Sequence, residues 1–516
     1  MDDRIKAAFR LLPDYLGQHV LLSAAALGLG VLISLPLAVI AARRPAVRWP
    51  LLTAASLIQT IPGLALLALF YPLLLAVSSI TRSAFGLGLP ALGFLPSLLA
   101  LTLYSVLPIL RNAVAGLTGV DAAVREAADG VGMTPRQRLW RVEAPLAAPV
   151  VMAGVRTAAV WTIGAATLST PVGQTSLGNY IFSGLQTENW VFVLFGCGAA
   201  AVLAIAVDQL LGLVEAGAAR RDGRRVLLGA AGLVIGASIA TAPLLHAASK
   251  TYVIGAKNFS EQFILASLMA ERLERAGATV QRRDGLGSAI VFRALAAGDV
   301  DAYVDYSGTL WTNAMGRKDS PPRDVMLAEL TRFMKDRYGV VVLGPLGFEN
   351  AYALAMKQDQ ATRLGVRSIA DLSPHAPSLT LGGDLEFLSR PEWTALRDAY
   401  GLKFRVQKSF NPTFMYRALE GGEADVISAF SSDGRIAAQH LVVLSDPRRA
   451  IPAYDAVLLI SPRRAADDRF RGALQPLVGR IPVERMREAN LTVDRDLDKL
   501  SPEQAAMRLA RDVGLN

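Results

Sequence analysis

The side chains that most often perform catalysis are few in this chain and lie far apart. The histidines are His19, His246, His375 and His440, and no two of them have the spacing of a metal-binding pair. The sequence contains no nucleophile–base motif and no G-x-x-x-x-G-K-[ST] loop, which would indicate ATP hydrolysis. The single cysteine, Cys197, excludes a disulfide within the chain. These features argue against an enzyme and predict neither a metal nor a cofactor.

The composition divides the chain into an apolar first part and a globular second part. Of its 516 residues, 52% are hydrophobic and 19% are charged, and the apolar residues concentrate before about residue 248. A membrane helix needs about 20 apolar residues. Pro62 and Pro72 predict a break or kink in the second apolar segment, and residues 3–17 form a short amphipathic segment before the first. The candidate spans are residues 19–42, 50–78, 88–112, 147–170, 189–214 and 226–247.

Basic loops beside these spans indicate how the chain crosses the membrane. Arginines cluster in residues 43–48 after the first span, in residues 113–146 after the third and in residues 220–225 after the fifth. With six spans these loops lie on one side, which the positive-inside rule assigns to the cytoplasm. Everything after residue 248 is then extracytoplasmic. The net charge of +9 therefore reflects membrane topology rather than nucleic-acid binding.

The last apolar segment has a second interpretation. Arg224 and Arg225 precede it and residues 247–249 (AAS) follow it, as in a secretory signal peptide. Cleavage there would release the second part as a free protein. We favour a sixth span, residues 226–248, that tethers the second part to the membrane.

The long cytoplasmic loop, residues 121–149 (DAAVREAADGVGMTPRQRLWRVEAPLAAP), contains a specific local pattern. Residues 121–129 can form a short helix that two glycines end, and Thr134 with Pro135 can start a second helix. A helix–turn–helix on the membrane surface can fit a groove on a partner, although a surface helix without a partner has the same pattern. The loop resembles the EAA loop of ABC importer permeases. The matching residues are Glu126, Ala127, Ala128, Gly132 and Pro145.

Further segments resemble permeases of the glycine betaine/carnitine/choline family. They are residues 61–67 (IPGLALL), 104–112 (YSVLPILRN), 162–168 (TIGAATL) and 176–182 (SLGNYIF). The resemblance covers nearly all of residues 15–215 and implies an all-α inner-membrane domain of the type I ABC importer kind, with six transmembrane helices. It also implies a permease homodimer. Because the chain has no phosphate-binding loop, ATP would be used by a separate ATPase subunit.

From residue 250 onward, β-like runs alternate with helical patterns, which is typical of an α/β fold with mainly parallel sheets. Helices are predicted over residues 261–276 and 291–297. Strands are predicted at residues 252–256, 299–306, 340–344, 351–356, 378–382, 403–407, 424–430, 441–445 and 454–460. The part is long enough for two lobes, and we expect residues 351–356 and 455–460 to cross between them. A cleft between hinged lobes is a frequent ligand site.

This second part resembles the substrate-binding proteins of the same uptake family. The matching segments are residues 254–262 (IGAKNFSEQ), 305–309 (DYSGT), 350–354 (NAYAL), 386–390 (EFLSR), 429–435 (AFSSDGR) and 452–455 (PAYD). Their order and spacing agree across residues 250–465. The resemblance implies a two-lobed domain like the type II periplasmic binding proteins, with a quaternary-ammonium ligand.

A trimethylammonium group has no N–H to donate, so directional hydrogen bonds cannot hold it. Aromatic ring faces can, at ~0.5–2 kcal/mol per ring. The resemblance implies that four rings, all at or just beyond predicted strand ends, form such a cage: Tyr306, Tyr352, Phe430 and Tyr454. For the carboxylate of a betaine it implies three donors: Lys257, Thr309 and Arg390.

Two positions depart from the family pattern. The family often has tyrosine at the position of Phe430, and some relatives carry an acid at the position of Asn350. Both departures widen the expected solutes from glycine betaine and choline to larger betaines such as carnitine or ergothioneine. The fused permease–receptor layout also occurs in relatives linked to ergothioneine uptake.

The function that these observations favour is ATP-driven import of a quaternary-ammonium compound. The expected plan is an amphipathic segment (1–18), a permease domain (19–215), a tether helix (226–248) and a binding domain (250–516). One alternative is a membrane-anchored sensor that binds the solute without transport. Another is an importer of an ordinary amino acid with the same fold.

Overall fold

The computed structural model divides near residue 248 into two compact units, the first helical and the second an α/β structure. It describes residues 3–85, 89–187, 189–245, 251–317, 319–495 and 498–515. His246, the end of the sixth predicted span and the signal-peptide-like residues 247–249 lie outside the described residues.

The helices before residue 246 are α1 (Asp3–Arg43), α2 (Pro45–Thr60), α3 (Gly63–Phe85), α4 (Phe94–Thr118), α5 (Ala122–Gly130), α6 (Pro135–Arg138), α7 (Ala144–Ala166), α8 (Gly178–Gln186), α9 (Trp190–Arg220) and α10 (Gly223–Leu245). A π-helical turn, Leu139–Glu143, joins α6 to α7, and a 3-10 turn, Thr167–Val172, follows α7.

Within the described residues, five helical segments are long and apolar enough to cross a membrane, namely those that contain α1, α4, α7, α9 and α10. The pair α2 and α3 adds a sixth span if it counts as one, and it is bent by 99° at its break. The predicted break at Pro62 is confirmed. Ile61 has extended backbone angles, φ −71° and ψ 126°, as a residue before proline prefers. Pro72 lies inside α3.

Two helix starts differ from the sequence-based expectation. Helix α1 begins at Asp3 and continues to Arg43, so residues 3–17 are not a separate segment. A glycine such as Gly17 costs only about 1 kcal/mol inside a helix, which does not end one that continues into a long apolar stretch. Helix α4 begins at Phe94 rather than near residue 88, because Gly93, with φ +78°, turns the chain into the helix.

Helix α4 packs between α1 and α7 in the core of the first unit. Gly154 of α7 permits the close approach to α4. A Cβ atom there would lie 2.6 Å from the Cβ of Asn112 and 2.8 Å from the carbonyl oxygen of Pro108. Small residues at such contacts are how membrane helices gain van der Waals packing.

The second unit contains two five-stranded sheets. The strands are β1 (Thr251–Lys257), β2 (Thr279–Leu286), β3 (Ala302–Tyr306), β4 (Val341–Glu349), β5 (Tyr352–Lys357), β6 (Thr380–Gly383), β7 (Val406–Ser409), β8 (Val426–Phe430), β9 (Leu441–Val443) and β10 (Asp455–Ile460). The first sheet has the order β2-β1-β3-β10-β4 and the second β7-β6-β8-β5-β9. Each sheet with its helices forms one lobe.

The helices of the second unit are α11 (Ser260–Arg275), α12 (Ser288–Ala297), α13 (Ser307–Thr309), α14 (Arg323–Tyr338), α15 (Gln358–Leu364), α16 (Ile369–Leu372), α17 (Leu385–Ser389), α18 (Pro391–Tyr400), α19 (Pro412–Glu420), α20 (Arg435–Ala438), α21 (Asp468–Leu474), α22 (Val483–Asp494) and α23 (Pro502–Asp512). A π-helical turn, Leu310–Ala314, follows α13.

The chain crosses between the lobes twice, at Asn350–Ala351 and between the end of β9 and the start of β10. The predicted crossings therefore need correction, because residues 352–356 lie within the second sheet and residues 455–460 within the first. The sheets are also mixed rather than mainly parallel. Strands β5 and β10, which each arrive from the other lobe, run antiparallel to their neighbours.

Strand β2 has no counterpart in the sequence-based prediction. It lies at the edge of its sheet, and all but its last residue are only partly buried. Its residues, TVQRRDGL, combine charge with a glycine and lack the apolar alternation by which strands are recognised.

Candidate functional site

A cleft of about 330 Å³ lies between the two lobes of the binding domain. Its walls come from the ends of strands in both sheets and from the loops that follow them. Tyr306 ends β3 and Phe430 ends β8, whereas Tyr352 begins β5. All eight side chains expected at a ligand site line this cleft: Lys257, Tyr306, Thr309, Asn350, Tyr352, Arg390, Phe430 and Tyr454.

The aromatic side chains form one continuous wall. Tyr352 and Phe430 are cross-strand partners with ring centroids 5.2 Å apart. Tyr454 meets Tyr352 edge to face at 5.6 Å and 88°. Phe259, which the sequence analysis did not select, stacks on Phe430 at 5.8 Å and lies 6.2 Å from Tyr306. Phe259 therefore connects Tyr306 to the other three rings.

Lys257 is already paired with a carboxylate of its own chain. Its Nζ donates to Asp305 in a buried ion pair and lies 5.1 Å from the centre of the Tyr306 ring. A ligand carboxylate at Lys257 would therefore compete with Asp305. Thr309, in the turn after Tyr306, also lines the cleft and is buried.

Arg390 is likewise held by acids. It donates to Glu386 at 2.9 Å and to Glu392 at 2.7 Å, and its guanidinium carbon lies 5.3 Å from the centre of the Tyr352 ring. Its Nε is buried and has no hydrogen-bond partner among the described residues.

Asn350 stands where the chain first crosses between the lobes. Its backbone N–H donates to the carbonyl of Tyr454 at 2.9 Å, and its amide nitrogen donates to Glu261 at 3.1 Å. Asn350 thus holds the carboxyl group of Glu261 directly beside the cleft lining.

Glu261, in the first turn of α11, is a buried carboxylate that the sequence analysis missed. Burial raises its pKa, and hydrogen bonds from Ser432, Tyr306, Asn490 and Asn350 oppose that rise. The sequence contained one signal for Glu261, because this residue lies two positions after Phe259 within the family-like segment IGAKNFSEQ.

Acidic groups outnumber basic ones around the cleft. Lys257 and Arg390 are the basic side chains in its lining, whereas Asp384 and Glu386 line it and Asp305, Glu392 and Glu261 contact its lining residues. This surplus of acidic groups disfavours an anionic ligand, and burial raises the pKa of two of them, Asp384 and Glu261.

Burial, more than any other influence, raises the pKa of Tyr306, Tyr352 and Tyr454 well above the usual value. These side chains are therefore neutral phenols at physiological pH. The pKa of Glu392 lies below its usual value, because burial, which acts to raise it, is outweighed by Arg390 and the Tyr454 hydroxyl. Glu392 is therefore ionised.

Hydrogen bonds connect the lobes across the cleft. Ser288 of the first lobe donates to Glu386 of the second at 2.7 Å, and Thr312 donates to Glu392 at 2.9 Å. Ser432 of the second lobe donates to Glu261 at 2.5 Å. The described conformation is thus one in which the lobes touch around the aromatic wall.

The loop between α4 and α7 forms the two short helices that the sequence predicts. Asp121 caps α5, Thr134 and Gln137 form a capping box on α6, and Gly132 turns between them with φ +78°. Arg138 of α6 pairs with Asp129 of α5 at 2.5 Å and with Glu143 of the following π-helical turn at 3.1 Å.

The EAA residues occupy α5. Glu126 and Ala127 are exposed, whereas Ala128 is buried. Pro145 lies in the first turn of α7 and is exposed. The loop presents Glu126 outward, together with the exposed Asp121 and Asp129.

Two family models match the chain. Residues 250–511 match the substrate binding domain of the ABC-type glycine betaine transport system, and residues 34–220 match the inner membrane component of binding-protein-dependent transport systems.

Individual proteins show the same two resemblances. The ergothioneine transport permease/ergothioneine binding protein EgtU of Helicobacter pylori is 28% identical over 484 residues, which cover 90% of this chain and 84% of that protein. The choline transport system permease protein OpuBB of Bacillus subtilis is 39% identical over 198 residues, covering 38% of this chain and 84% of that protein. A crystal structure of a glycine betaine/carnitine/choline ABC transporter is 24% identical, with a TM-score of 0.45 over 51% of this chain and 99% of the other.

The matches to both parts agree with the helical first unit and the two-lobed second unit. The chain is therefore a transporter subunit rather than an enzyme, with a membrane-inserted first part. It belongs to the glycine betaine/carnitine/choline/ergothioneine family of ABC importers, in which it is a permease fused to its substrate-binding protein.

Proposed function

We propose that the chain captures a quaternary-ammonium compound outside the inner membrane and imports it with energy from a separate ATPase. The domain after residue 250 is extracytoplasmic in this proposal, and two copies of the permease form the pathway. The tether keeps the receptor near the permease, which replaces free diffusion with a local concentration in the ~millimolar range.

The observation that carries this proposal is the continuous aromatic wall in the cleft. Five rings, Tyr306, Phe259, Phe430, Tyr352 and Tyr454, follow one another at centroid distances of 5.2 to 6.2 Å. Such a wall offers several electron-rich faces to a cation that has no N–H groups.

The charges of the cleft support the same class of ligand. Lys257 and Arg390 are paired with carboxylates of the chain, so neither presents a full free charge to an anion. The Arg390 guanidinium and the Thr309 hydroxyl, which both belong to residues of the cleft lining, are the donors proposed for the carboxylate of a betaine. A compound with a trimethylammonium group and a small polar or acidic end fits this arrangement.

A binding panel on the full chain in lipid nanodiscs tests the ligand class. Calorimetry with choline, glycine betaine, carnitine and ergothioneine is expected to give saturable binding for at least one of them. Glutamine and histidine, as ordinary amino acids, are expected to give none. Binding of an amino acid with no response to the four quaternary compounds would overturn the proposal.

Removal of one ring is expected to weaken binding measurably. Tyr352→Ala removes the ring that contacts both Phe430 and Tyr454, and we expect a loss of more than ~1 kcal/mol, or at least ~5-fold in Kd. Tyr338→Ala is the matched control, because Tyr338 packs on Phe292 and Phe333 outside the cleft lining. Equal affinities for both variants in calorimetry would exclude Tyr352 from the site.

The loop that contains α5 and α6 is the proposed contact for the ATPase. Its exposed Glu126 and Ala127 stand on a helix braced by Arg138, and α7 follows directly. A push on this rigid loop is transmitted into a membrane-spanning helix.

Two glycines of the loop allow a sharp test of that role. Gly132 has φ +78°, which costs a side-chain-bearing residue about 1–2 kcal/mol, whereas Gly130 ends α5 without a positive φ. Neither Cβ would meet an atom within 4 Å. Gly132→Val is expected to lower ATP-driven uptake in proteoliposomes several-fold with unchanged ligand affinity, and Gly130→Ala to leave uptake near wild type. Normal uptake by Gly132→Val would argue that the shape of the loop does not matter for coupling.

A further inference from the structure

Two tyrosines of the aromatic wall donate their hydroxyl groups to buried carboxylates. Tyr306 donates to Oε1 of Glu261 at 2.6 Å, and Tyr454 donates to Glu392. Both acids are 2% exposed, and neither lines the cleft itself. Each acid therefore contacts a ring whose other atoms face the ligand space.

Glu261 is held by neutral donors. Oε1 accepts from Tyr306 and Asn350, and Oε2 accepts from Ser432 at 2.5 Å and from Asn490 at 3.0 Å. The carboxylate also lies in the first turn of α11, where the helix dipole favours negative charge. Burial raises the pKa of Glu261, and these four hydrogen bonds oppose that rise because each of them favours the charged form.

Glu392 repeats the arrangement with one difference. It accepts from Tyr454, from Thr312 at 2.9 Å and from Arg390 at 2.7 Å. The guanidinium of Arg390 offsets part of its charge, so the electrostatic effect at Tyr454 is smaller than at Tyr306.

A phenol that donates to a carboxylate gains electron density on its oxygen and ring. The ring face then attracts a cation more strongly, and the carboxylate adds its own attraction through a poorly screened interior. A cation on the ring in turn favours the ionised carboxylate. A neutral molecule of the same shape gains nothing from either effect.

We propose that Glu261, acting through Tyr306, is a specificity-determining positioning residue that makes the cleft prefer a cationic group over a neutral group of equal shape. This inference rests on the proposed quaternary-ammonium function. It adds that a part of the charge selectivity comes from an acid outside the ligand contact surface.

A purely structural role for Glu261 is the competing explanation. The same carboxylate connects α11 to Ser432 of the other lobe and to Asn350 at the crossing, so its loss could loosen the cleft for every ligand. The test must therefore compare two ligands of the same shape. Choline and 3,3-dimethylbutan-1-ol differ only in the replacement of the positive nitrogen by carbon.

The experiment measures the affinity of both probes for the full chain in nanodiscs. For Glu261→Gln, the preference for choline over 3,3-dimethylbutan-1-ol is expected to fall roughly tenfold, with the affinity of the alcohol unchanged. Asp467→Asn is the matched control, because Asp467 accepts from the Tyr252 hydroxyl at 3.0 Å in the same domain, outside the cleft lining. The control is expected to keep the wild-type preference.

A second variant tests the route through the phenol. Tyr306→Phe keeps the ring and removes the hydroxyl, so it is expected to reduce the same preference. In the double variant Glu261→Gln/Tyr306→Phe, the preference for choline is expected to fall by a smaller factor than the product of the two factors measured for the single variants. If Glu261→Gln folds poorly, the choline preference of Tyr306→Phe alone still tests the proposal.

The outcomes separate the two proposals. A wild-type protein that shows no preference for choline over the alcohol overturns the inference, whereas the quaternary-ammonium function itself is decided by the binding panel. A wild-type preference that Glu261→Gln and Tyr306→Phe both retain overturns only the inference. Equal weakening of both probes by these variants assigns Glu261 a structural role and likewise overturns it.

Discussion

Replacement of Gly308 by alanine is expected to lower the ligand affinity of the binding domain between tenfold and a hundredfold. A Cβ atom at this position would lie 2.5 Å from Cε2 and 2.7 Å from Cδ2 and Cζ of Tyr454. These are ring atoms, so the clash cannot be relieved at the tip of a flexible side chain. Overpacking of this kind costs about 1–3 kcal/mol.

The clash falls on a ring that has little freedom to move. Tyr454 is 1% exposed, its hydroxyl donates to Glu392, and its ring meets Tyr352 edge to face. A displaced Tyr454 therefore disturbs the corner of the wall that it forms with Tyr352. The hundredfold end of the range corresponds to about 2.7 kcal/mol.

Calorimetry on the full chain with the tightest ligand of the binding panel measures this effect. Gly472→Ala is the matched control, because a Cβ there would meet nothing within 4 Å and the residue lies inside α21. If Gly308→Ala binds as tightly as Gly472→Ala, Tyr454 does not form part of the ligand site.

Loss of the Arg156 side chain is expected to destabilise the membrane unit. Arg156 of α7 donates to both oxygens of Asp208 in α9, at 3.0 and 2.8 Å, and to Glu215 at 2.6 Å. Gly212 lies between these acids, and its missing side chain leaves room for the guanidinium, whose carbon would be 3.4 Å from a Cβ there.

Arg156→Met leaves two carboxylates without their shared partner between two candidate membrane spans. Removal of one member of a fully buried ionic group costs about 3–5 kcal/mol, and a smaller loss is expected here because the Arg156, Asp208 and Glu215 side chains are 26–31% exposed. We expect a large drop in the yield of monodisperse protein in detergent and a lower apparent melting temperature. Charged groups inside spans are rare because their burial in lipid is costly, so this cluster has to be satisfied within the protein.

A compensated variant separates lost pairing from lost packing. Arg156→Met/Asp208→Asn/Glu215→Gln has no unpaired charge at this site, and it is expected to recover most of the yield and melting temperature. Arg220→Met, at the exposed end of α9, serves as the single-arginine control. A melting temperature for Arg156→Met equal to that of Arg220→Met would contradict an important role for the cluster.

The permease half was largely predictable because its signals are local. The lengths of the apolar stretches predicted the membrane spans. The preference of the residue before Pro62 for an extended backbone predicted the break in the second span. The start of α1 was not predictable in the same way. A long helix can carry a polar, amphipathic first section into an apolar one without any residue that stops it.

In the binding half, some strands and strand directions could not be predicted from local sequence patterns. Strands with apolar residues were found, but β2 at the sheet edge was not, because partly buried charged residues there carry no strand periodicity. The antiparallel direction of β5 and β10 depends on the crossings between lobes, which sequence spacing alone does not reveal.

The candidate site was also predicted only in part. The eight selected side chains share one cleft, since each belongs to a segment identified by its order and spacing. The partners of Lys257 and Arg390 were missed, although Asp305 directly precedes Tyr306 and Glu392 lies two residues after Arg390. Whether neighbouring charges pair depends on side-chain direction and burial, which appear only in three dimensions.

The positions of Tyr352 and Tyr454 have a consequence for the empty receptor. Tyr352 follows the first crossing and Tyr454 ends the second, so both rings lie at the two connections between the lobes, about which a hinge motion would rotate them. A rotation displaces atoms in proportion to their distance from its axis. This ring pair is therefore retained when the lobes separate, whereas distant contacts such as Ser288–Glu386 open. Phe430 shares a sheet with Tyr352, so the open receptor would present Phe430, Tyr352 and Tyr454 together, and closure of the lobes would add Phe259 and Tyr306.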